Sequence, residues 1–317
     1  MNIQEIYKLA IDMGIKNDFR SKQQIAKQLK RQKEKHAKLS KNQKEIFDLE
    51  KLTNPYSDSR IHFDNGKKNI KKIMVGIDID TAEIMLAKEL NIETVIAHHP
   101  VGMGLAGLDD VMHLQADVFE QYGVPINVAE SLMKLRISEV SRGISAANHY
   151  KEIDAAKLLD INFINIHTPA DNLVAKFVDN KIKKDKPEYV GDIIKSLLEI
   201  PEYKEAAKKG FGPVIFSGSE DNRTGKIALT EITGGTSGSK DIYEKLSQVG
   251  IGTVIGMHMS EEYRKEAEKY YINVVIAGHI SSDSLGMNLF LDELEKKGIE
   301  IVSCSGLIRI SRNKKKK

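Results

Sequence analysis

The sequence predicts an α/β fold with an N-terminal helical extension. From Lys71 onward, short apolar runs alternate with amphipathic stretches of helical period, the pattern of strands joined by crossover helices. Before that point such runs are missing and basic residues dominate. At 317 residues the chain can bury one large core or two moderate ones. A content of 41% hydrophobic and 29% charged residues places it among soluble globular proteins rather than disordered or membrane chains.

Residues 1–60 form the extension. Ile3, Ile6, Tyr7, Ala10 and Met13 recur at helical spacing. Arg20 to Leu52 is rich in Lys, Gln and Arg, with few apolar residues until Ile46, Phe47, Leu49 and Leu52. A basic helix of this kind can touch nucleic acid. Aromatic residues for base stacking are nearly absent, so a solvated helical face is the expectation and nucleic acid is not the expected partner. Thr53 to Ser59 breaks helix and reads as a linker.

Ile73–Ile77 is a buried strand, followed by a helix from Thr81 to Leu90 capped by Asp80. Thr94–Ala97 is the next strand, completing a βαβ unit in which the second strand runs parallel to the first. A helix over Asp109–Tyr122, an apolar segment Val124–Val128 and helical character over Ser131–Leu159 follow. Asn162–Ile166 reads as a strand, Lys181–Lys209 as a charged region, and Val214–Ser217 and Lys226–Ile232 as strands. A glycine-rich loop, Gly234–Gly238, opens a helix at Asp241. Thr253–Ile255 and Asn273–Ile276 bracket a helix over Glu261–Tyr271; a helix Leu285–Lys297, a strand Ile299–Ser303 and a lysine tail close the chain.

Three strands end in the same chemistry. Val95-Ile96-Ala97 runs into His98-His99-Pro100 at a carboxyl end of the sheet, where ligands collect in open α/β folds. Phe163–Ile166 runs into His167-Thr168-Pro169-Ala170-Asp171, and Val274–Gly278 into His279 with Asp283 four residues on. Neutral imidazoles and carboxylates on fixed scaffolding are what a metal-assisted site needs.

In these three motifs, with matching order and spacing from about Lys71 to the C-terminus, the chain resembles the Nif-three-like family of dinuclear-metal proteins, also labelled as a second type of GTP cyclohydrolase. The resemblance implies a two-lobed, layered α/β/α core with mixed sheets over residues 61–317, the lobes dividing near 175–275. It implies two divalent transition-metal ions (zinc, iron, manganese or cobalt) held by His98, His99, Asp171, His279 and Asp283, with His167 as a catalytic neighbour that orients Asp171 or shuttles protons. Asp283 stands where the family usually has a glutamate. A ring-shaped homohexamer is a further implication.

The function expected is a metal-dependent hydrolase acting on a small molecule or anion, with cyclohydrolase-like ring opening implied by the second label. The alternative is a non-catalytic metal-binding regulatory or interaction protein, whose coordination shells would be closed. His258 also ends an apolar strand and is a pocket-lining candidate, while Asp109 and Asp110 suit a helix start and His113 the surface of that helix. The Gly234–Ser239 loop can offer N–H groups to an anion or simply make a turn. The single cysteine, Cys304, excludes an internal disulfide and fits a reducing cytoplasm. A signal peptide and a membrane span are not expected.

Overall fold

The computed structural model describes residues 1–313; the expected lysine tail, Lys314–Lys317, lies outside the described residues. Among the described residues the strands are β1 (Arg60–Phe63), β2 (Lys72–Gly76), β3 (Thr94–Ala97), β4 (Asn162–Asn165), β5 (Val214–Ser217), β6 (Lys226–Glu231), β7 (Ile251–Gly256), β8 (Asn273–Ile276) and β9 (Glu300–Ser303). They form two mixed sheets, ordered β1-β4-β3-β2-β9 and β5-β8-β7-β6. Each sheet has a parallel set with one antiparallel edge, β1 on β4 and β5 on β8. β3, β4 and β8 are buried at every residue, as parallel strands covered by helices on both faces must be. The fold is therefore α/β with two lobes.

Two long helices, Thr168–Asp185 and His279–Lys296, pack on both lobes. Ala170, Leu173, Met287 and Phe290 join the core of the first sheet with Ile73, Val75, Ile96 and Ile164. Val174, Val178 and Leu285 join a core that includes Leu229, Ile255 and Val275 of the second sheet. The helices approach closely at Gly286, where an added Cβ would lie 2.4 Å from the Ala170 carbonyl oxygen. The first helix, Ile3–Asn17, belongs to the same core: it buries Ile3, Ile6 and Ala10, and a capping box between Asn2 and Glu5 fixes its start.

Several boundaries differ from the sequence reading. The helical stretch Ser131–Leu159 is two helices, Ile126–Ile144 and Lys151–Leu159. The Asn148 side chain accepts the Tyr150 N–H between them, an Asx turn that competes with helix. The apolar segment Val124–Val128 runs into the first of these helices, with Pro125 just ahead of its first turn. The basic stretch is divided into helices Lys22–Ala37 and Lys41–Glu45 and a 3-10 turn Leu49–Leu52. The closing helix starts at His279 rather than Leu285, because Gly278 at φ 109° lets the chain turn straight from β8 into helix. The supposed linker is packed: Asn54 to Arg60 are all buried. Among the described residues no helix is long and apolar enough to cross a membrane.

Candidate metal centre

The carboxyl ends of the parallel strands hold nearly all the ionisable groups of interest. β3 continues into His98 and His99, whose backbone N–H groups still bond to the Gly76 and Ile77 carbonyls, 3.0 Å each. His167 follows β4 and Asp78 follows β2. In the second lobe Glu231 ends β6, His258 follows β7 and His279 follows β8. Asp171 comes from the first turn of one shared helix, and Asp283 from the fifth residue of the other. All six residues singled out from the sequence are thus brought together, with ring centroids 5.1 Å apart for His98–His167 and for His99–His279.

Each inner imidazole is oriented from behind. His98 Nδ1 lies 3.0 Å from the Ile166 carbonyl oxygen, His99 Nδ1 2.6 Å from Asp78 Oδ1, and His167 Nδ1 2.7 Å from Asp58 Oδ2. These partners accept, so each Nδ1 donates, and a ring in its neutral form turns an Nε2 lone pair inward. What the lone pairs meet are more acceptors. His98 Nε2 is 3.4 Å from both Asp171 Oδ1 and Asp283 Oδ1. Asp283 Oδ2 is 3.4 Å from His99 Nε2 and 3.5 Å from His279 Nε2, and His167 Nε2 is 3.8 Å from Asp171 Oδ2.

His98 Nε2, Asp171 Oδ1 and both oxygens of Asp283 are buried without a hydrogen-bond partner. Orphaned acceptors facing one another in a buried site are costly unless a cation or proton sits among them. The donor set of imidazole nitrogen and carboxylate oxygen suits first-row transition metals, and two groups have the spacing to hold an ion: His98, His167 and Asp171, and His98, His99 and Asp283. His167 is a member of the first group in its own right, where the sequence reading sets it beside Asp171.

Without a cation the charges compete. Burial pushes the Asp171 carboxyl up to about 6, with His167 and His98 opposing. Burial opposes protonation of His167, but Asp171 and Asp58 outweigh it and raise the ring to about 9. Asp283 is held well below the carboxylate range despite burial, by His98 and His99. His279, on the open side with 40% of its side chain exposed, is pushed down to about 4 by burial.

Three residues of the site were not singled out from the sequence. Asp58 also accepts from the Thr168 hydroxyl at 2.6 Å and has no periodic motif to announce it. Asp78 sits two residues before the helix cap Asp80. Glu231 lines a water-sized cavity of about 20 Å³ with Asp171, Ser237 and His258. Burial pushes its carboxyl up to about 7, and Oε1 has no partner. His258 lies 4.8 Å from the His279 ring, so it does line the site. The Gly234–Ser239 loop is pinned by Gln115, whose amide donates to the Gly234 and Thr236 carbonyls. Asp110 is structural, accepting from the Ser57 hydroxyl and pairing with Lys51. Burial pushes the Cys304 thiol up to about 11, a poor nucleophile. A cavity of about 460 Å³ beside Phe19, Tyr122 and Ile227 shares no residue with the cluster.

Fold and site together define a two-lobed α/β protein with a histidine–carboxylate cluster where the lobes meet. A family model described as Duf34/NIF3 (NGG1p interacting factor 3) matches residues 35–121. A NIF3 superfamily protein from Sphaerobacter thermophilus superposes with a TM-score of 0.77 at 25% identity, covering 97% of this chain and 99% of that one. More distant are reduced HcgD from Methanocaldococcus jannaschii (18% identity, TM-score 0.49, 83% and 94% covered) and TTHA1606 from Thermus thermophilus (15%, 0.46, 82% and 92%). No curated protein matches the sequence. The chain is thus similar in fold to a NIF3 superfamily protein along nearly its whole length, and a segment of it matches the Duf34/NIF3 model.

Proposed function

We propose that the chain binds two divalent transition-metal ions and hydrolyses a small molecule at them. The observation that carries this reading is the set of buried acceptor atoms left facing one another. An imidazole nitrogen has one lone pair, so His98 serves one ion only. His98, His167 and Asp171 make one donor set, and His99, His279 and Asp283 the other. Asp283 spans both, because Oδ1 faces His98 while Oδ2 faces His99 and His279. When bound, a pair of divalent ions supplies Lewis acidity and a nucleophile at neutral pH.

The chain's own residues do the remainder. Asp58, Asp78 and the Ile166 carbonyl hold the three imidazoles in one tautomer and orientation. His99 and His279 form the accessible side, their side chains 25% and 40% exposed, which favours an open catalytic site over a closed shell. His258 and Glu231 stand beyond His279 and Asp171, where a bound molecule would meet them. The same reading includes the homohexamer implied by the family resemblance and the cytoplasmic setting expected from the sequence.

Metal analysis of untagged protein, followed by assay on chromogenic esters and phosphodiesters, tests it. About two ions per chain are expected in the wild type, fewer in Asp283→Asn, and turnover that a chelator abolishes. A wild type that takes up no divalent ion overturns the proposal. Two tightly held ions without turnover support the non-catalytic binding protein instead.

A further inference from the structure

Between Lys22 and Lys44 the chain carries nine basic residues and one acidic residue, Glu34. That is a local balance of +8 in a chain of net +3, leaving −5 for everything else. The helix Lys22–Ala37 starts at a capping box between Ser21 and Gln24. It is fastened along one stripe: Ile25 is buried, Leu29, Gln32 and His36 are half-buried, and the His36 ring packs tilted against Phe47, centroids 4.8 Å apart. Those positions share one helical face. All nine basic residues are exposed, and those of the helix fan out over the other faces.

Their charge is also uncompensated. Among the described residues only one of the nine, Lys30, has a carboxylate within reach, Glu34 at 3.9 Å. Lysines on other helices are paired: Lys183 with Asp179, Lys195 with Asp192, Lys208 with Glu205 and Lys296 with Glu293, all within 2.9 Å. The result is a fixed cationic rod, roughly 24 Å long from its 16 residues at ~1.5 Å each.

We propose that this helix docks on the phosphate backbone of a double-stranded nucleic acid. Unpaired lysines on a rigid element displace condensed counterions without first breaking ion pairs of their own. Backbone contacts position a protein and need no aromatic side chains, so the scarcity that argues against single-strand stacking leaves a duplex open. Lysine is depleted in protein–protein interfaces, and eight of the nine basic residues are lysine. A membrane-surface helix needs its apolar face for lipid, whereas this helix has already buried its apolar stripe on the protein. Binding would be independent of sequence, and it does not rest on the metal centre.

Fluorescence anisotropy of the full chain with a labelled duplex of about 24 base pairs, from about 50 to about 200 mM salt, tests this. Lys27, Arg31 and Lys35 follow one another at i, i+4 and i+8 on the exposed side. The triple variant Lys27→Gln/Arg31→Gln/Lys35→Gln is compared with Lys195→Gln/Lys208→Gln/Lys296→Gln, which removes the same net charge elsewhere. The first should flatten the log–log salt slope by roughly 2 to 3 units, at ~0.9 per lost phosphate contact, and weaken low-salt binding at least tenfold. The second should leave the slope as in the wild type, with circular dichroism unchanged in both. Equal slopes for the two variants overturn the proposal, as does a wild type that ignores the duplex at about 50 mM salt. Because Ile46 and Leu49 stand exposed at the end of the run, phosphatidylserine vesicles form a further arm; a preference for them over the duplex also overturns it.

Discussion

The Asp58 carboxylate is buried behind His167, where it accepts from the ring N–H and the Thr168 hydroxyl. Its negative charge raises the basicity of a ring aimed into the candidate metal cluster, a role that an isosteric amide would lose. Asp58→Asn should weaken metal binding by roughly 10- to 100-fold in a chelator competition, with the fold retained; an unchanged affinity would remove Asp58 from the site. Glu231 makes a different prediction. Its carboxyl, ordinarily near 4.5, is pushed up to about 7 by burial. Between those values the folded state keeps a proton that the unfolded state gives up, so raising the pH favours unfolding. The contribution to stability is fully present below about 4.5 and is lost as the pH rises through about 7, on the order of 3–4 kcal/mol at ~1.4 kcal/mol per unit. Glu231→Gln has no such proton to lose, so denaturant titrations should show the wild type falling relative to the variant across that window. A constant difference between the two would sink the argument. The candidate ligands were legible because each follows an apolar run within a short motif. Asp58 and Glu231 were not, since burial of an acidic residue in an aperiodic segment or at a strand end is decided by what packs against it.

At the scale of elements, the βαβ unit from Ile73 to Ala97 and the strands that present histidines were readable from apolar period and length alone. Helix limits were less so. The break at Asn148 and the early start at His279 depend on a side-chain turn and on one glycine at positive φ, which carry little weight in a window average. Nor does periodicity reveal how closely two helices approach. Asp171 and Asp283 ride on helices that touch where Gly286 meets the Ala170 carbonyl, one residue from Asp171 and three from Asp283. That contact sets the distance between the two carboxylates. Gly286→Ala keeps helical backbone angles but places a methyl 2.4 Å from a backbone oxygen, so the helices must separate. Overpacking of this kind costs about 1–3 kcal/mol. The expected outcome is a measurable loss of stability together with reduced metal content in the folded fraction. Loss of stability with full metal content would mean that the crossing distance does not control the site.

The donors converge from every part of the molecule: the ends of β3 and β4 in the first lobe, the end of β8 in the second, and the two helices packed on both. That a two-lobed α/β chain would do this was suggested by three motifs lying far apart in sequence, but which lobe faces which followed only from how the shared helices pack. If the cluster holds metal as proposed, the arrangement ties that binding to the stability of the whole. In the metal-free protein the inward lone pairs and carboxylates oppose one another, and Asp171 is pushed up to about 6 as a consequence of its burial. Under the proposed function, a divalent ion held by these residues would replace that opposition and would favour the folded state, where alone the donors converge. At a free-ion concentration about 100 times the dissociation constant the folded state gains ~2.7 kcal/mol, which for a chain of this length raises the melting temperature by about 4 °C. Because Asp283 faces imidazoles from both lobes, the expected thermogram is a single transition that moves as one when the ion is added and moves back with chelator. Asp283→Asn should show neither movement. Two transitions, with only one responding to the ion, would mean that the donors act within one lobe and that the cluster does not bind the two halves together.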